Sequence, residues 1–309
     1  MLEKFADLIE IKKADIGHTK FSIAIPTFKR TETLVKTINI ALSQTYDGEY
    51  KIVIVDNNPN RDDKTELFMH GVTDFRVSYY KNSENVGMVN NWNQCILASA
   101  SEWVVLVHDD DLLTDNCLKS IDETISAQPY LDVVLPNFIQ MHNPYVKEST
   151  SVSNTGENFI KSWIKRLLIK NYPISANLFC DNIYGPPTCG LALRRDAVIE
   201  FGGFPDRCIA ADWDFMSKFS INHRIAKCKE LTGYYIWAVN ASMKESTMEQ
   251  IRKDRIAIIK DIVDYSMLNK FYYKLLKNDF KKKFNSKTTD VVDYSFLYRM
   301  IRKYYSMRI

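Results

Sequence analysis

Three consecutive carboxylates, Asp109, Asp110 and Asp111, follow the apolar run Val104-Val105-Leu106-Val107, with His108 between. The run reads as a buried strand, so the acids are held close together at a stiff strand tip. Like charges placed there raise one another's pKa unless a cation lies among them. Oxygen-only ligands suit a hard divalent ion such as Mg²⁺ or Mn²⁺, which keeps positions open for water and phosphate oxygens. The alternative is a solvated turn leading into a helix, because acids also favour helix starts.

The elements that must position these acids alternate in type. Phe21–Ile25 reads as a strand closed by Pro26. Leu34, Val35, Ile38, Ala41 and Leu42 recur at helical spacing, with Thr31 as N-cap. Lys51–Val55 is a second strand, ending in the turn cluster Asp56-Asn57-Asn58-Pro59-Asn60, and Phe75–Tyr80 a third. Met88, Val89, Trp92, Cys95 and Ile96 form another helical face before the strand that leads to His108. This rhythm predicts a doubly wound, mainly parallel α/β sheet, in which ligands bind outside the carboxyl ends of the strands. Three such ends carry polar clusters: Pro26-Thr27-Phe28-Lys29-Arg30, Asp56-Asn57-Asn58, and His108 to Asp111. The sheet logic brings all three to one crevice. No glycine-rich dinucleotide or Walker-type loop follows the first strand, which disfavours both of those nucleotide-binding modes. Further on, the pattern predicts a short strand at Leu191–Leu193, a turn at Gly202-Gly203-Phe204-Pro205, and a helix from Ala211 to about Ser220. Two short strands around Gly233 follow, then helix from about Ser246 onward.

The chain has 309 residues, 46% of them hydrophobic, which provides for a sizeable core. From Gln250 onward there are 15 Lys/Arg against 6 Asp/Glu, while the rest of the chain holds 26 against 32. A slightly acidic body therefore carries a basic tail rich in aromatics, which points to an anionic surface as partner. The six cysteines are scattered without CxxC spacing, against a zinc site or disulfide scaffold and in favour of a reducing compartment. Met1 to Ala14 sets charged and apolar residues at helical spacing, unlike a signal peptide, and no apolar run approaches the ~18 residues of a membrane span.

The segments SIAIPTFKR, IVIVDNN, NSENVGMVNNWN, LVHDDDLL, GLALRRDAVIEFGGF and ADWDF occur in an order and at separations that resemble the family 2 glycosyltransferases. The likeness covers roughly residues 20 to 243. It implies a GT-A (Rossmann-like) fold and inverting transfer of a sugar from a nucleotide donor, a UDP-sugar, to a saccharide hydroxyl. Carried over by position, Pro26, Thr27, Phe28 and Arg30 line the nucleotide pocket, and Asn85, Gly87 and Asn93 border it. Asp56 accepts a hydrogen bond from the uracil N–H, as an acceptor-only group at a strand tip can do; an Asx-turn is its alternative role. Two registers of the family's D-x-D stay open. Alignment on Leu113 places its acids at His108 and Asp110, whereas a literal reading gives Asp109 and Asp111. Asp110 is the leading ligand of Mn²⁺ or Mg²⁺, with Asp111 and Asp109 beside it. His108 and Asp109 also count as nucleotide-sugar contacts. Asp212 matches the aspartate of the family's E-D motif and is implied as general base, the alternative being an N-cap; Asp214 would orient the loop. A histidine common near the end of the domain is missing from Tyr235-Ile236-Trp237-Ala238-Val239-Asn240-Ala241-Ser242, so Lys244, Arg194 or Arg195 would have to neutralise phosphate instead.

These readings divide the chain into a catalytic domain over 1–245 and a basic helical C-terminal extension over 246–309. The catalytic domain has a nucleotide-sugar half at about 20–112 and an acceptor half at about 113–245. The extension, with Lys270–Phe284 and Tyr294–Tyr305 interleaving aromatics and lysines or arginines, suits an anionic membrane surface; packing against the domain and an oligomer contact are its other uses. Nucleic acid is disfavoured, since no recognised binding module accompanies the charge. The expected protein is cytoplasmic and peripheral at the inner face of the cell membrane. It would build bacterial surface polysaccharide on a lipid-linked acceptor. The competing classes are a catalytically silent binding protein of the same fold and a sugar-1-phosphate nucleotidyltransferase. The latter would need a glycine-rich basic loop after the first strand, which is absent.

Overall fold

The computed structural model describes residues 2, 6–142, 188–220, 222–237 and 245–265, together with 270, 271, 274 and 278. The polar stretch expected over 148–157, the helix over 159–168, Lys244 and nearly all of the basic tail lie outside the described residues. Contacts divide the chain into two compact units. The first comprises 1–143, 186–207 and 223–238, and the second 144–185, 208–222 and 239–309. The segment around Asp212 groups with the C-terminal residues.

The first unit is built on an eight-stranded sheet. Its strands are β1 (Leu8–Lys12), β2 (Phe21–Thr27), β3 (Tyr50–Asp56), β4 (Val77–Asn82), β5 (Trp103–Val107), β7 (Val133–Leu135), β9 (Cys189–Arg194) and β10 (Ile225–Lys227), in the order β1-β4-β3-β2-β5-β9-β7-β10. The central pairs β4–β3, β3–β2 and β2–β5 are parallel, whereas β1 and β9 run antiparallel to their neighbours. The parallel strands read as continuous apolar runs because both faces are covered. Phe21, Ile23, Ile25, Ile52, Ile54, Trp103 and Val105 belong to one core cluster, and each fully buried large side chain of this kind contributes about 1.5–3 kcal/mol. The flanking helices are α1 (Thr31–Leu42), α2 (Lys64–His70), α3 (Met88–Ala98), α4 (Cys117–Ala127) and α5 (Arg195–Phe201). A small second sheet joins β6 (Leu112–Leu113), β11 (Gly233–Trp237) and β8 (Phe138–His142) in the order β6-β11-β8.

Several expectations are corrected. The segment before Ala14, expected at helical spacing, contains β1, an edge strand paired with β4; five residues of mixed polarity cannot distinguish the two periods. β2 does not stop at Pro26 but runs to Thr27, because its pairing with β5 ends at Ala24 while its pairing with β3 continues to Asp56. The Thr27 carbonyl accepts the Asn57 N–H from the β3 side. Proline's missing donor therefore faces the unpaired side. The N-cap of α1 is Arg30 rather than Thr31, and the Thr31 hydroxyl instead meets that of Thr65 at 2.9 Å. Phe75 precedes β4 and is exposed, as is Met88 on α3. The two short strands expected around Gly233 are present as β10 and β11, with Gly233 opening the second.

The described part of the second unit consists mainly of α6 (Ala211–Phe219) and α7 (Glu245–Tyr265). α6 packs on α7, which buries Ile258, Ile259 and Ile262. The Phe215 and Phe219 rings stack within α6 at 4.8 Å. No helix among the described residues is long and apolar enough to cross a membrane.

Candidate active site

In the first unit the parallel strands deliver their polar ends to one edge of the sheet. Beyond β2, Lys29 takes a left-handed backbone conformation with φ of 56°, which turns the chain sharply into α1. As an N-cap without a side-chain capping bond, Arg30 has its guanidinium available for the neighbouring strand end. It donates to Asp110 Oδ2 at 2.6 Å and to Asp109 Oδ1 at 3.4 Å. Thr27 Oγ1 donates to Asp109 Oδ2 at 2.7 Å. Asp109 is thus tied to β2, and burial raises its pKa to about 6, the Thr27 hydroxyl opposing and Asp110 adding to the rise.

His108, Asp110 and Asp111 face one another differently. Each offers one ligand atom, and these atoms all lie within 4.8 Å of one another. Asp109 stands outside that group, so the structure groups the histidine with Asp110 and adds Asp111. Asp111 is fully buried; its Oδ1 accepts the Ile236 N–H at 2.9 Å, while its Oδ2 has no hydrogen-bond partner among the described residues. Burial pushes its pKa well up, the Ile236 N–H opposing, and Asp110 and Asp109 push it further. The His108 Nε2 lies 2.5 Å from Thr188 Oγ1 and its ring 5.1 Å from that of Trp92. Burial lowers its pKa to about 4, so at neutral pH it is an uncharged imidazole, the form that ligates metals. An orphaned buried carboxylate oxygen beside a second carboxylate and a neutral imidazole fits a divalent cation. Such a charge would reverse the local cost of ionising Asp111.

Asp56 ends β3 opposite Thr27. Its carboxylate has no exposed surface. Oδ1 accepts the Asn58 N–H at 2.9 Å, and Oδ2 accepts from the Tyr79 hydroxyl at 2.8 Å and Lys81 Nζ at 3.3 Å. Burial raises its pKa, these three donors opposing. The Asx-turn role is therefore realised, and the carboxylate is wholly enclosed and bonded within the protein. Lys81 itself is fully buried and also meets Asp63 at 3.2 Å and Glu66 at 3.4 Å. Nothing local in Tyr79-Tyr80-Lys81-Asn82 signals this centre; it arises only when β3, β4 and α2 come together.

The amides nearby form a bracing network. The Asn85 Oδ1 accepts from Asn57 Nδ2 at 2.7 Å and from the Gly87 N–H at 3.0 Å. Gly87 has φ of 83° and its Cβ position is open to 4 Å, so the backbone angle, not close approach, explains the glycine. Asn93 is fully buried and its amide is spent on the Phe204 backbone, donating to the carbonyl and accepting the N–H, each at 2.8 Å. It braces the Gly203–Phe204 turn. Pro26 is buried within β2 and Phe28 is exposed at its end.

Arg194 and Arg195 do not serve an anion at this edge. Arg194 pairs in register with Trp103, at the end of β5 opposite His108, and binds Glu102 at 3.2 Å. Arg195 donates to the Ile96 and Leu97 carbonyls. Among the described residues, Arg30 is the cation that lies against the acids.

In the second unit Asp212 is the second residue of α6, whose N-cap is Ala210, so the N-cap alternative for Asp212 is excluded. Its Oδ1 accepts the Trp213 N–H at 2.9 Å. Burial raises its pKa to about 6, with the Trp213 N–H and Arg255 opposing, a value suited to taking up a proton near neutrality. Asp214 is fully buried and paired with Lys218 at 3.0 Å.

A mainly parallel sheet with an imidazole–carboxylate cluster beyond its strand ends defines the class as an α/β protein with its polar groups gathered at one sheet edge. The Glycosyl transferase family 2 pattern matches residues 22–202, and the chain belongs to that family. It is 29% identical over 97 residues to WcaA of Escherichia coli strain K12, named as a colanic acid biosynthesis glycosyl transferase, over 31% of this chain and 34% of that protein. It is 30% identical over 106 residues to the poly(ribitol-phosphate) beta-N-acetylglucosaminyltransferase TarP of Staphylococcus aureus strain N315, over 33% and 32% of the two chains. The chain thus matches about a third of the length of each of these curated relatives. The fold is the GT-A fold of S. aureus TarS residues 1–349 in complex with UDP-GlcNAc, at a TM-score of 0.59 and 17% identity, covering 88% of this chain and 74% of that one. The mannosyltransferase PcManGT of Pyrobaculum calidifontis, in complex with GDP-Man and Mn²⁺, matches at 0.57 and 14% identity over 83% and 69%.

Proposed function

We propose that this chain is an inverting glycosyltransferase that moves a sugar from a UDP-sugar to a hydroxyl of a saccharide acceptor. The carrying observation is the His108–Asp110–Asp111 cluster, with its orphaned Asp111 oxygen and the adjacent Arg30. His108, Asp110 and Asp111 would hold Mn²⁺ or Mg²⁺, the imidazole favouring Mn²⁺. A bound cation neutralises charge that develops on a leaving diphosphate. Arg30 supplies a second, fixed positive charge for the same phosphates, and Thr27 keeps Asp109 in place. Asp212 takes the proton from the acceptor hydroxyl as its oxygen bonds to the anomeric carbon. The carbon–oxygen bond to the diphosphate breaks, its electron pair leaving with UDP.

The TarS complexes, which hold UDP and UDP-GlcNAc, support a UDP-sugar as donor, and the names of TarP and WcaA support a biosynthetic polymer as the class of product. The basic, aromatic tail supports a lipid-linked acceptor at an anionic membrane. A thermal-shift screen of UDP-, GDP- and dTDP-sugars with Mn²⁺ tests the donor, since a ligand at 100 Kd adds about 2.7 kcal/mol of stability. Stabilisation by UDP-sugars with Mn²⁺ is expected. No shift with any of them would refute the reading, and a shift with GDP-sugars alone would reassign the base.

A further inference from the structure

The helix that carries Asp212 begins without a cap of its own. Ala210, at the N-cap, has no oxygen to offer the amides of the first turn. The chain entering the helix is held instead by α7, well beyond the residues matched to the family. The buried Asp254 Oδ2 accepts the Ile209 N–H at 2.8 Å and the Ala210 N–H at 3.4 Å, and its Oδ1 accepts from Gln250 one turn earlier at 2.8 Å. The next residue, Arg255, places its guanidinium 4.2 Å from the centre of the Trp213 ring. Two consecutive residues of α7 thus hold the backbone just before Asp212 and the side chain just after it.

We propose that Asp254 and Arg255 are positioning residues for Asp212: α7 fixes the backbone that presents the carboxylate and supplies the positive charge that keeps it ionised. This rests on the reading of Asp212 as the base. A carboxylate accepting two backbone N–H groups is a strong, charge-assisted restraint. A base displaced by about 1 Å loses on the order of 10²-fold in rate. On α6 Asp214 is bound by Lys218 at 3.0 Å, and Lys218 also reaches Asp261 of α7 at 3.5 Å. Arg255 is the charged group that acts on Asp212, and its effect on that carboxylate opposes burial.

The full-length chain, labelled with ¹³C at aspartate carboxyls, tests this by titration, the Asp212 signal being identified by its loss in Asp212→Asn. The midpoint, near 6 in the parent, should rise by roughly one pH unit in Arg255→Met, which keeps the aliphatic stem over Trp213, and return in Arg255→Lys. In Asp254→Ala, UDP release from UDP-N-acetylglucosamine should fall roughly 10- to 100-fold in kcat, with KM for that donor and UDP affinity by calorimetry unchanged. Asp254→Asn, which retains an acceptor oxygen, should recover most of the rate. A midpoint unmoved in Arg255→Met, or an Asp254→Ala variant that turns over normally, overturns the proposal. Normal turnover in Asp212→Asn would instead remove Asp212 as the base, while the titration would still decide whether α7 governs that carboxylate.

Discussion

Replacing Lys81 with methionine should destabilise the first unit strongly and in a pH-dependent way. Lys81 sits opposite Asp56 in the β3–β4 register. Its ammonium lies 3.2 Å from Asp63, 3.3 Å from Asp56 and 3.4 Å from Glu66, and the Lys81, Asp56 and Glu66 side chains have no exposed surface. At an effective dielectric of about 20, each such contact is worth about 5 kcal/mol before desolvation is counted. Breaking a buried pair by removing one partner costs about 3–5 kcal/mol net. With about 2–4 °C lost per kcal/mol, the melting temperature should fall by roughly 6–20 °C. The sign with pH follows from the two most buried acids. Glu66 is held below its ordinary pKa against burial by Arg61, the Asp62 N–H and Lys81, so its stabilisation is present at neutral pH and lost in acid. Asp56 is raised by burial and would rise further without Lys81, a penalty that appears as pH increases. Both make the deficit of Lys81→Met full at pH 7 and smaller towards pH ~4. Melting curves across that range measure it, and the double variant Lys81→Met/Glu66→Gln should recover part of the loss. A deficit below about 1 kcal/mol, the size of a surface ion pair, or one that does not change with pH, would refute the reasoning.

Calorimetry should find UDP binding weakened by a chelator, and weakened similarly by Asp111→Asn with Mn²⁺ present; affinity indifferent to both would remove the cation from the site. Asp212→Asn should bind UDP normally yet transfer almost no sugar, because the amide cannot take a proton at neutral pH. In the parent, kcat should fall as pH drops through about 6, since the base works only when ionised; an activity that rises there would exclude Asp212 as the group titrating. Truncation after Asn269 should weaken binding to anionic vesicles while leaving UDP affinity intact. Vesicle binding by the full chain should decline with salt, as each basic residue near such a surface is worth about 1 kcal/mol. Equal co-sedimentation of the two forms would refute a membrane role for the tail.

What the sequence discloses here depends on range. β3 and β5 are continuous apolar runs buried on both faces, so composition alone marks them, and their polar ends at Asp56 and His108 follow from strand polarity in a parallel sheet. The α3 face formed by Val89, Trp92, Cys95 and Ile96 is likewise set by its own period and is buried. β1 and α2 escape notice because each is short and gains its order from a partner: β1 from the edge of β4, and α2 from the Asp63 cap and from Glu66 beneath it. The same logic applies to charge. Whether a carboxylate faces solvent, a lysine or a metal is decided by elements distant in sequence: Arg30 against Asp110 across 80 positions, Ile236 against Asp111 across 125, Asp254 against Ile209 across 45. Three adjacent aspartates therefore end in three surroundings: Asp109 bound to Thr27 and Arg30, Asp110 to Arg30, and Asp111 to the Ile236 N–H with one oxygen left over. Past the end of β5 the chain turns, with the Asp111 N–H donating to the His108 carbonyl at 3.2 Å, so strand alternation no longer assigns the side chains. Each acid takes a partner other than its like-charged neighbours, the least favourable ones it could have. The sequence names the acids; the residues that oppose each of them select the one left with an oxygen for a cation.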